Sequence, residues 1–124
     1  MKALVVDDSA VMRKVIIGAL ARADITDVEQ AADGKEAVEA VQNVDVDLVL
    51  MDWNMPNMLG IDAVKAIRAL GKTMPIIMVT TEAEKGRIVE ALKAGAQNYI
   101  IKPFEPATII EKINITIEKY KASA

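Results

Sequence analysis

Apolar runs of four or five residues recur along the chain, each ending in a polar residue and followed by a stretch with helical periodicity. Ala3 to Val6 is such a run, closed by Asp7 and Asp8. Ser9 can then cap a helix, with Met12, Val15, Ile16, Ala19 and Leu20 recurring at helical spacing. Asp24 to Asp27 makes a turn, and Val28 to Ala32 a weaker strand. Asp33-Gly34 breaks the chain before a helix that turns Ala37, Val38 and Val41 to one side. The third run, Val46 to Met51, is apolar enough at its end to be buried on both faces, and it stops at Asp52. A polar loop with Pro56 leads to Gly60 and a helix over about Ile61 to Leu70, with Val64, Ile67 and Leu70 inward. Gly71 stands where a helix-ending glycine belongs.

The pattern continues to the C-terminus. Pro75 to Val79 is a fourth buried strand, ending in Thr80-Thr81. A helix over about Glu84 to Ala94 carries Ile88, Val89 and Leu92 inward and stops at Gly95. Asn98 to Ile101 is the last strand and runs into Lys102-Pro103-Phe104. The final helix has Pro106 in its first turn and Ile109, Ile110, Ile113 and Ile117 along it. Five strands alternating with five helices predict a doubly wound α/β domain, a parallel sheet covered on both faces.

Composition narrows the chemistry. At 124 residues the chain is one domain, 1–124, and 52% hydrophobic with 27% charged residues describes a globular protein. A net charge of −3 gives no reason to expect nucleic-acid binding. Four apolar residues before Asp7 are too few for a signal peptide or a membrane span, so a cytoplasmic protein with no membrane partner is expected. Cysteine and histidine are both absent. That excludes thiolate chemistry and a histidine base, and leaves only hard, oxygen-held cations as metals.

Ligands of open parallel sheets bind outside the carboxyl ends of the strands, at the switch point of the winding. Strand one ends in Asp7 and Asp8, strand three in Asp52, strand four in Thr80 and Thr81, and strand five in Lys102. Strand two ends in Ala31 and Ala32 and offers nothing. In the order 2-1-3-4-5, borrowed from flavodoxin-like domains, the four polar ends are consecutive and converge. Each residue alone has an ordinary explanation. Asp7 and Asp8 suit a helix start, Thr80 suits any strand, and Lys102 suits solvent. Their joint occurrence at four of five strand ends points to a site. Three carboxylates there repel by about 4 kcal/mol per pair at 4 Å and an effective dielectric near 20. A magnesium ion relieves this, and with Lys102 it neutralises an incoming phosphoryl group, to which the Thr80 hydroxyl can donate. The combination suits phosphoryl transfer onto Asp52, giving an acyl phosphate.

Val5-Val6-Asp7-Asp8-Ser9, Met51 to Gly60, Val79-Thr80-Thr81 and Tyr99 to Phe104 together resemble the receiver domain of bacterial response regulators. The resemblance spans the chain, with the motifs in order, and Asp52 to Met58 is similar to the chemotaxis members of that family. It implies that Asp52 accepts a phosphoryl group from a sensor histidine kinase. Asp8 would ligate magnesium directly, Asp7 largely through water, and Asn54 through its backbone carbonyl. Lys102 would pair with the phosphoryl group, Thr80 would move toward it, and Tyr99 would turn inward as the aromatic switch. Asn54 and Glu82 would tune dephosphorylation, and the Lys102-Pro103 bond would be cis. Trp53 is expected at the pocket edge, where it places a fluorophore beside the site, while Met55 and Met58 suit packing. Thr81, where alanine is common, and Gly86, inside the fourth helix, depart from the pattern; Gly86 would soften that helix's first turns.

The resemblance makes the chain a phosphoacceptor signalling protein, not an enzyme in the usual sense, that promotes its own phosphorylation and dephosphorylation. With no output domain, it would signal through partners. The expected partner is a flagellar motor switch protein or a phosphatase, bound through the fourth helix, fifth strand and fifth helix. A phosphorelay intermediate or a non-chemotaxis adaptor is the alternative. An FMN carrier is disfavoured because Asp7-Asp8 would repel its phosphate. A haloacid-dehalogenase-like phosphatase would need an Asp-x-Asp nucleophile motif on strand one, which Asp7-Asp8-Ser9-Ala10 does not supply.

Overall fold

The computed structural model describes residues 1–81 and 86–123. Five strands and five helices alternate as expected: β1 (Lys2–Val6), α1 (Ala10–Arg22), β2 (Asp27–Ala31), α2 (Gly34–Asn43), β3 (Leu48–Asp52), α3 (Gly60–Ala69), β4 (Ile76–Thr81), α4 (Ile88–Ala94), β5 (Asn98–Lys102) and α5 (Pro106–Ser123). All four strand pairings are parallel, in the order β2-β1-β3-β4-β5. The winding reverses between β1 and β3, so the switch point lies where Asp7 and Asp52 emerge.

Alternation along the strands sorts the core into two layers. Ala3, Val5, Leu48, Leu50, Ile77, Val79 and Ile100 face α1 and α5, meeting Ile16, Leu20, Ile109 and Ile113. Leu4, Val6, Val49, Met51, Ile76 and Met78 face the other way, meeting Ala37 and Val41 of α2, Val64 and Ile67 of α3, and Ala91 of α4. At roughly 25 cal/mol per Å² of apolar surface, these two layers supply the main force holding the sheet between its helices.

Local signals account for the helix starts. Ser9 caps α1, its hydroxyl accepting from the Met12 N–H at 3.2 Å. Asp33 caps α2, accepting from the Glu36 N–H at 2.8 Å. Three strands run one or more residues beyond their expected ends, so Asp52, Thr80 and Lys102 are strand residues and their directions are fixed by the pleat.

The inward faces of three helices differ from expectation. Val15 and Leu70 are exposed, and in α4 both Val89 (62% exposed) and Leu92 point to solvent. The buried residue of α4 is Ala91, with Ile88 half-buried. This seven-residue helix makes its core contact through the small Ala91, and its larger residues are left outside. The Glu84 start expected for this helix falls outside the described residues, and Gly86 lies in a 3₁₀ turn before Ile88.

Candidate functional site

Three charged side chains belong to one face of the sheet by alternation alone. Asp7 follows Ala3 and Val5, Asp52 follows Leu48 and Leu50, and Lys102 follows Ile100. The pleat therefore brings them together above the α1/α5 layer. The Lys102 ammonium lies 3.1 Å from Asp7 Oδ2 and 3.1 Å from Asp52 Oδ1. Asp7 and Asp52 are both buried, whereas Asp8, one residue further on, is exposed.

Backbone and side-chain donors hold the two buried carboxylates. Asp7 Oδ1 accepts from the Ser9 N–H at 2.9 Å, and the Asp7 N–H extends the ladder to the Ala31 carbonyl. Arg13 donates to the Asp7 carbonyl at 2.6 Å. Asp52 Oδ1 accepts from the Trp53 N–H at 2.9 Å. Burial pushes the Asp52 carboxyl up to about 6. Lys102 pulls it back down and the Asp7 charge adds to the rise. Burial lowers the Lys102 ammonium, yet the attraction of Asp52 and Asp7 outweighs it and leaves Lys102 above its ordinary value.

Asp7, Asp8 and Asp52 each place a carboxylate oxygen within 4.8 Å of the others. An all-oxygen donor set of three acids fits a hard divalent cation such as magnesium. Asn54, on the loop two residues after Asp52, is exposed.

Thr80 and Tyr99 occupy the opposite face. Thr80 follows Ile76 and Met78, and Tyr99 packs against the same layer. Thr80 is fully buried, and its hydroxyl has no hydrogen-bond partner among the described residues. A buried hydroxyl left without a partner costs about 1–3 kcal/mol, a cost that an arriving acceptor would relieve. Tyr99 is half-buried, with the Lys112 ammonium 4.1 Å from its ring centre. The Lys102-Pro103 bond is cis. Glu82 lies outside the described residues.

Trp53 departs from the pocket-edge expectation. It is 1% exposed and part of the core layer beneath α2 to α4, with the Arg87 guanidinium 6.0 Å from the ring. The loop folds back after Asp52 because the Gly60 N–H bonds the Trp53 carbonyl at 2.8 Å, which carries the indole inward. Met55 is buried and Met58 half-buried, in keeping with packing roles, and Thr81 is an exposed strand residue in register with Lys102.

Several positions gain meaning only from the structure. Gly60 begins α3 directly against the Asp52 carbonyl, and Gly34 begins α2 against Met58. Asp33 accepts from the Asn57 side chain at 2.6 Å, which ties α2 to the loop after β3. Asp33-Gly34 signals a break in the sequence, but nothing in it gives the partner 24 residues away.

Fold and pocket together define a flavodoxin-like α/β domain whose switch point is an acidic, metal-competent pocket with one lysine across it. The response regulator receiver domain family matches residues 3–114. Chemotaxis protein CheY1 of Helicobacter pylori is 48% identical over 120 residues, covering 94% of this chain and 97% of that protein. A chemotaxis protein CheY homolog of Campylobacter jejuni is 50% identical over 116 residues, covering 91% and 89%. Among solved structures, chemotaxis protein CheY4 of Vibrio cholerae superposes with a TM-score of 0.85 at 38% identity, over 93% of this chain and 97% of that one. A CheY-like receiver domain protein of Methanospirillum hungatei superposes with a TM-score of 0.90 at 30% identity, over 99% and 98%. The chain belongs to the response regulator receiver domain family. Among the described residues, no helix is long and apolar enough to cross a membrane.

Proposed function

We propose that this receiver is a chemotaxis-type response regulator that acts from the cytoplasm as a single receiver domain and is phosphorylated on Asp52. The observation that carries the reading is the buried Asp52 carboxylate at the end of β3, 3.1 Å from Lys102 and within reach of two further carboxylates. An Asp52 oxygen attacks the phosphorus of a phosphohistidine on a sensor kinase. The nitrogen–phosphorus bond breaks as an acyl phosphate forms, and the freed imidazole takes up a proton.

Asp7, Asp8, Asp52 and the Asn54 carbonyl would hold magnesium, which supplies charge neutralisation for the transferring group. Lys102 neutralises a phosphoryl oxygen from the other side. The buried Thr80 hydroxyl supplies a donor that has no other partner among the described residues. Its movement toward the phosphoryl group vacates space on the face it shares with Tyr99, so the ring turns inward. Asn54 and Glu82 tune the attack of water that returns Asp52 to its free form, and the domain itself promotes both steps.

The readout is a binding partner. The outward-facing Val89 and Leu92 of α4, with β5 and α5, form the surface for a flagellar motor switch protein or a phosphatase. Likeness to chemotaxis proteins of Helicobacter pylori, Campylobacter jejuni and Vibrio cholerae supports the motor reading over a relay role. The test adds magnesium and then a small-molecule phosphodonor, following Trp53 fluorescence and protein mass. The wild type is expected to respond and gain a phosphoryl group. A response that survives in Asp52→Asn would show that Asp52 is not the acceptor.

A further inference from the structure

The loop between β3 and α3 carries Asn54, and its contacts among the described residues include three that bear on its shape. The Gly60 N–H closes it on the Trp53 carbonyl at 2.8 Å, and Met55 anchors it in the core. The third contact comes from outside. Asn57 donates from its side chain to Asp33 Oδ2 at 2.6 Å, a short bond to a charged acceptor. Asn57 holds a left-handed backbone, φ 68, which asparagine tolerates better than other residues with a side chain. Asp33 is itself fixed, because its other oxygen caps α2 through the Glu36 N–H at 2.8 Å. That cap, with the Asn57 bond next, holds the Asp33 carboxyl below the usual carboxylate range. Beside it, a Cβ on Gly34 would stand 2.8 Å from the Met58 carbonyl, so α2 begins in contact with the loop backbone.

We propose that Asp33 and Asn57 form a clamp that positions the β3–α3 loop for magnesium binding, making Asp33 a positioning residue that reaches the metal only through the loop. The inference rests on the magnesium reading of the Asp7–Asp8–Asp52 pocket. One metal-binding group in that reading, the Asn54 carbonyl, belongs to the loop backbone. Its position therefore depends on loop geometry rather than on a rotamer. A loop free to shift at Asn57 spreads that carbonyl over several positions, and affinity falls because binding must select one of them. The N-terminus of α2 thereby becomes part of the site, although neither Asp33 nor Asn57 lies in the pocket.

The test is magnesium titration by calorimetry and Trp53 fluorescence, with thermal unfolding of each metal-free variant measured alongside. Asn57→Gly keeps the left-handed backbone and removes the bond. Asp33→Ser keeps a helix cap and is too short to reach Asn57. Each is expected to weaken magnesium on the order of tenfold, at the lower end of what outer-sphere partners cost. The double variant should weaken it no further, since one bond is lost either way. A purely structural role would lower the unfolding temperature and leave magnesium affinity unchanged, which overturns the clamp. Binding abolished in Asp8→Asn but indifferent to both clamp variants overturns the clamp alone. Absence of magnesium binding in the wild type overturns the clamp together with the reading beneath it.

Discussion

Gly60 and Asp52 are in backbone contact: a Cβ added to Gly60 would overlap the carbonyl oxygen of Asp52. The helix that follows the loop starts against the peptide that carries the central carboxylate. Gly60→Ala must therefore displace either β3 or α3, and no flexible side chain is available to yield. A loss of roughly 2–3 kcal/mol is expected, as for other overpacked sites. Gly18, inside α1 with open space around its Cα, is the contrast. Gly18→Ala should stabilise by about 0.5–1 kcal/mol. Urea midpoints of the two variants should move in opposite directions. Gly60→Ala should also slow phosphorylation by a small phosphodonor in protein that remains folded.

Burial of Asp52 makes its ionised form a cost to the metal-free fold. The folded value of about 6 lies above the ordinary aspartate value of 3.8, so the native state holds its proton more tightly. The contribution to stability is complete below the unfolded value and is lost as pH rises through about 6. Asp52→Asn removes that loss. At pH 7 the metal-free variant should exceed the wild type by about 1–3 kcal/mol, given 1.36 kcal/mol per pKa unit. The gap should close as pH falls from about 6 toward 4. Denaturant melts in a chelator across that window provide the check, and a gap constant with pH would contradict the assignment.

Much of this site is legible in the sequence because strand ends are legible. Asp7, Asp52, Thr80 and Lys102 each close an apolar run, and parallel strands deliver such residues to one edge. The two-residue alternation then separates Asp52 and Lys102 from Thr80, because each follows a strand of known phase. Contacts made by loops were hidden. Trp53 follows Asp52 into a polar stretch and looks peripheral, yet the Gly60–Trp53 backbone bond folds it into the core. The Asp33–Asn57 bond joins two loops whose approach depends on how α2 and α3 pack. Val89 and Leu92 mislead for a different reason. Helical periodicity marks an apolar stripe, but here Ala91 takes the contact and the larger residues are left outside.

Lys102 holds two carboxylates at 3.1 Å with one ammonium, in the same pocket that would hold magnesium. Lys102→Met removes a cation that competes for those oxygens. The variant should therefore bind magnesium more tightly than the wild type. It should also become phosphorylated more slowly, on the order of a hundredfold, because the counter-charge for the transferring group is gone. Calorimetry and phosphodonor kinetics separate the two effects, and a loss of both together would mean that Lys102 mainly maintains the pocket's shape.

Arg68 offers a control at the far pole of the sheet. Its guanidinium donates twice to the Gly95 carbonyl, at 3.1 and 2.8 Å, once to the Lys72 carbonyl at 3.0 Å, and once to Gln97 Oε1 at 2.9 Å. Gln97 Oε1 also accepts from the Ile76 N–H at 2.7 Å, so one side chain ties α3, the end of α4 and the entry to β4. Gly95, at φ 121, leaves room for it, since a Cβ there would meet the Arg68 side chain. Arg68→Met removes the guanidinium from the Gly95 and Lys72 carbonyls and leaves Gln97 Oε1 with the Ile76 N–H alone, and about 2–3 kcal/mol of stability should be lost. Lysine should recover little of it, because an ammonium cannot span the fork of acceptors. Magnesium affinity should not change in either variant, because the damage lies at the ends of the strands opposite the pocket. Urea unfolding with parallel magnesium titration checks both halves; a weakened magnesium site would reveal coupling between the poles that the packing gives no reason to expect.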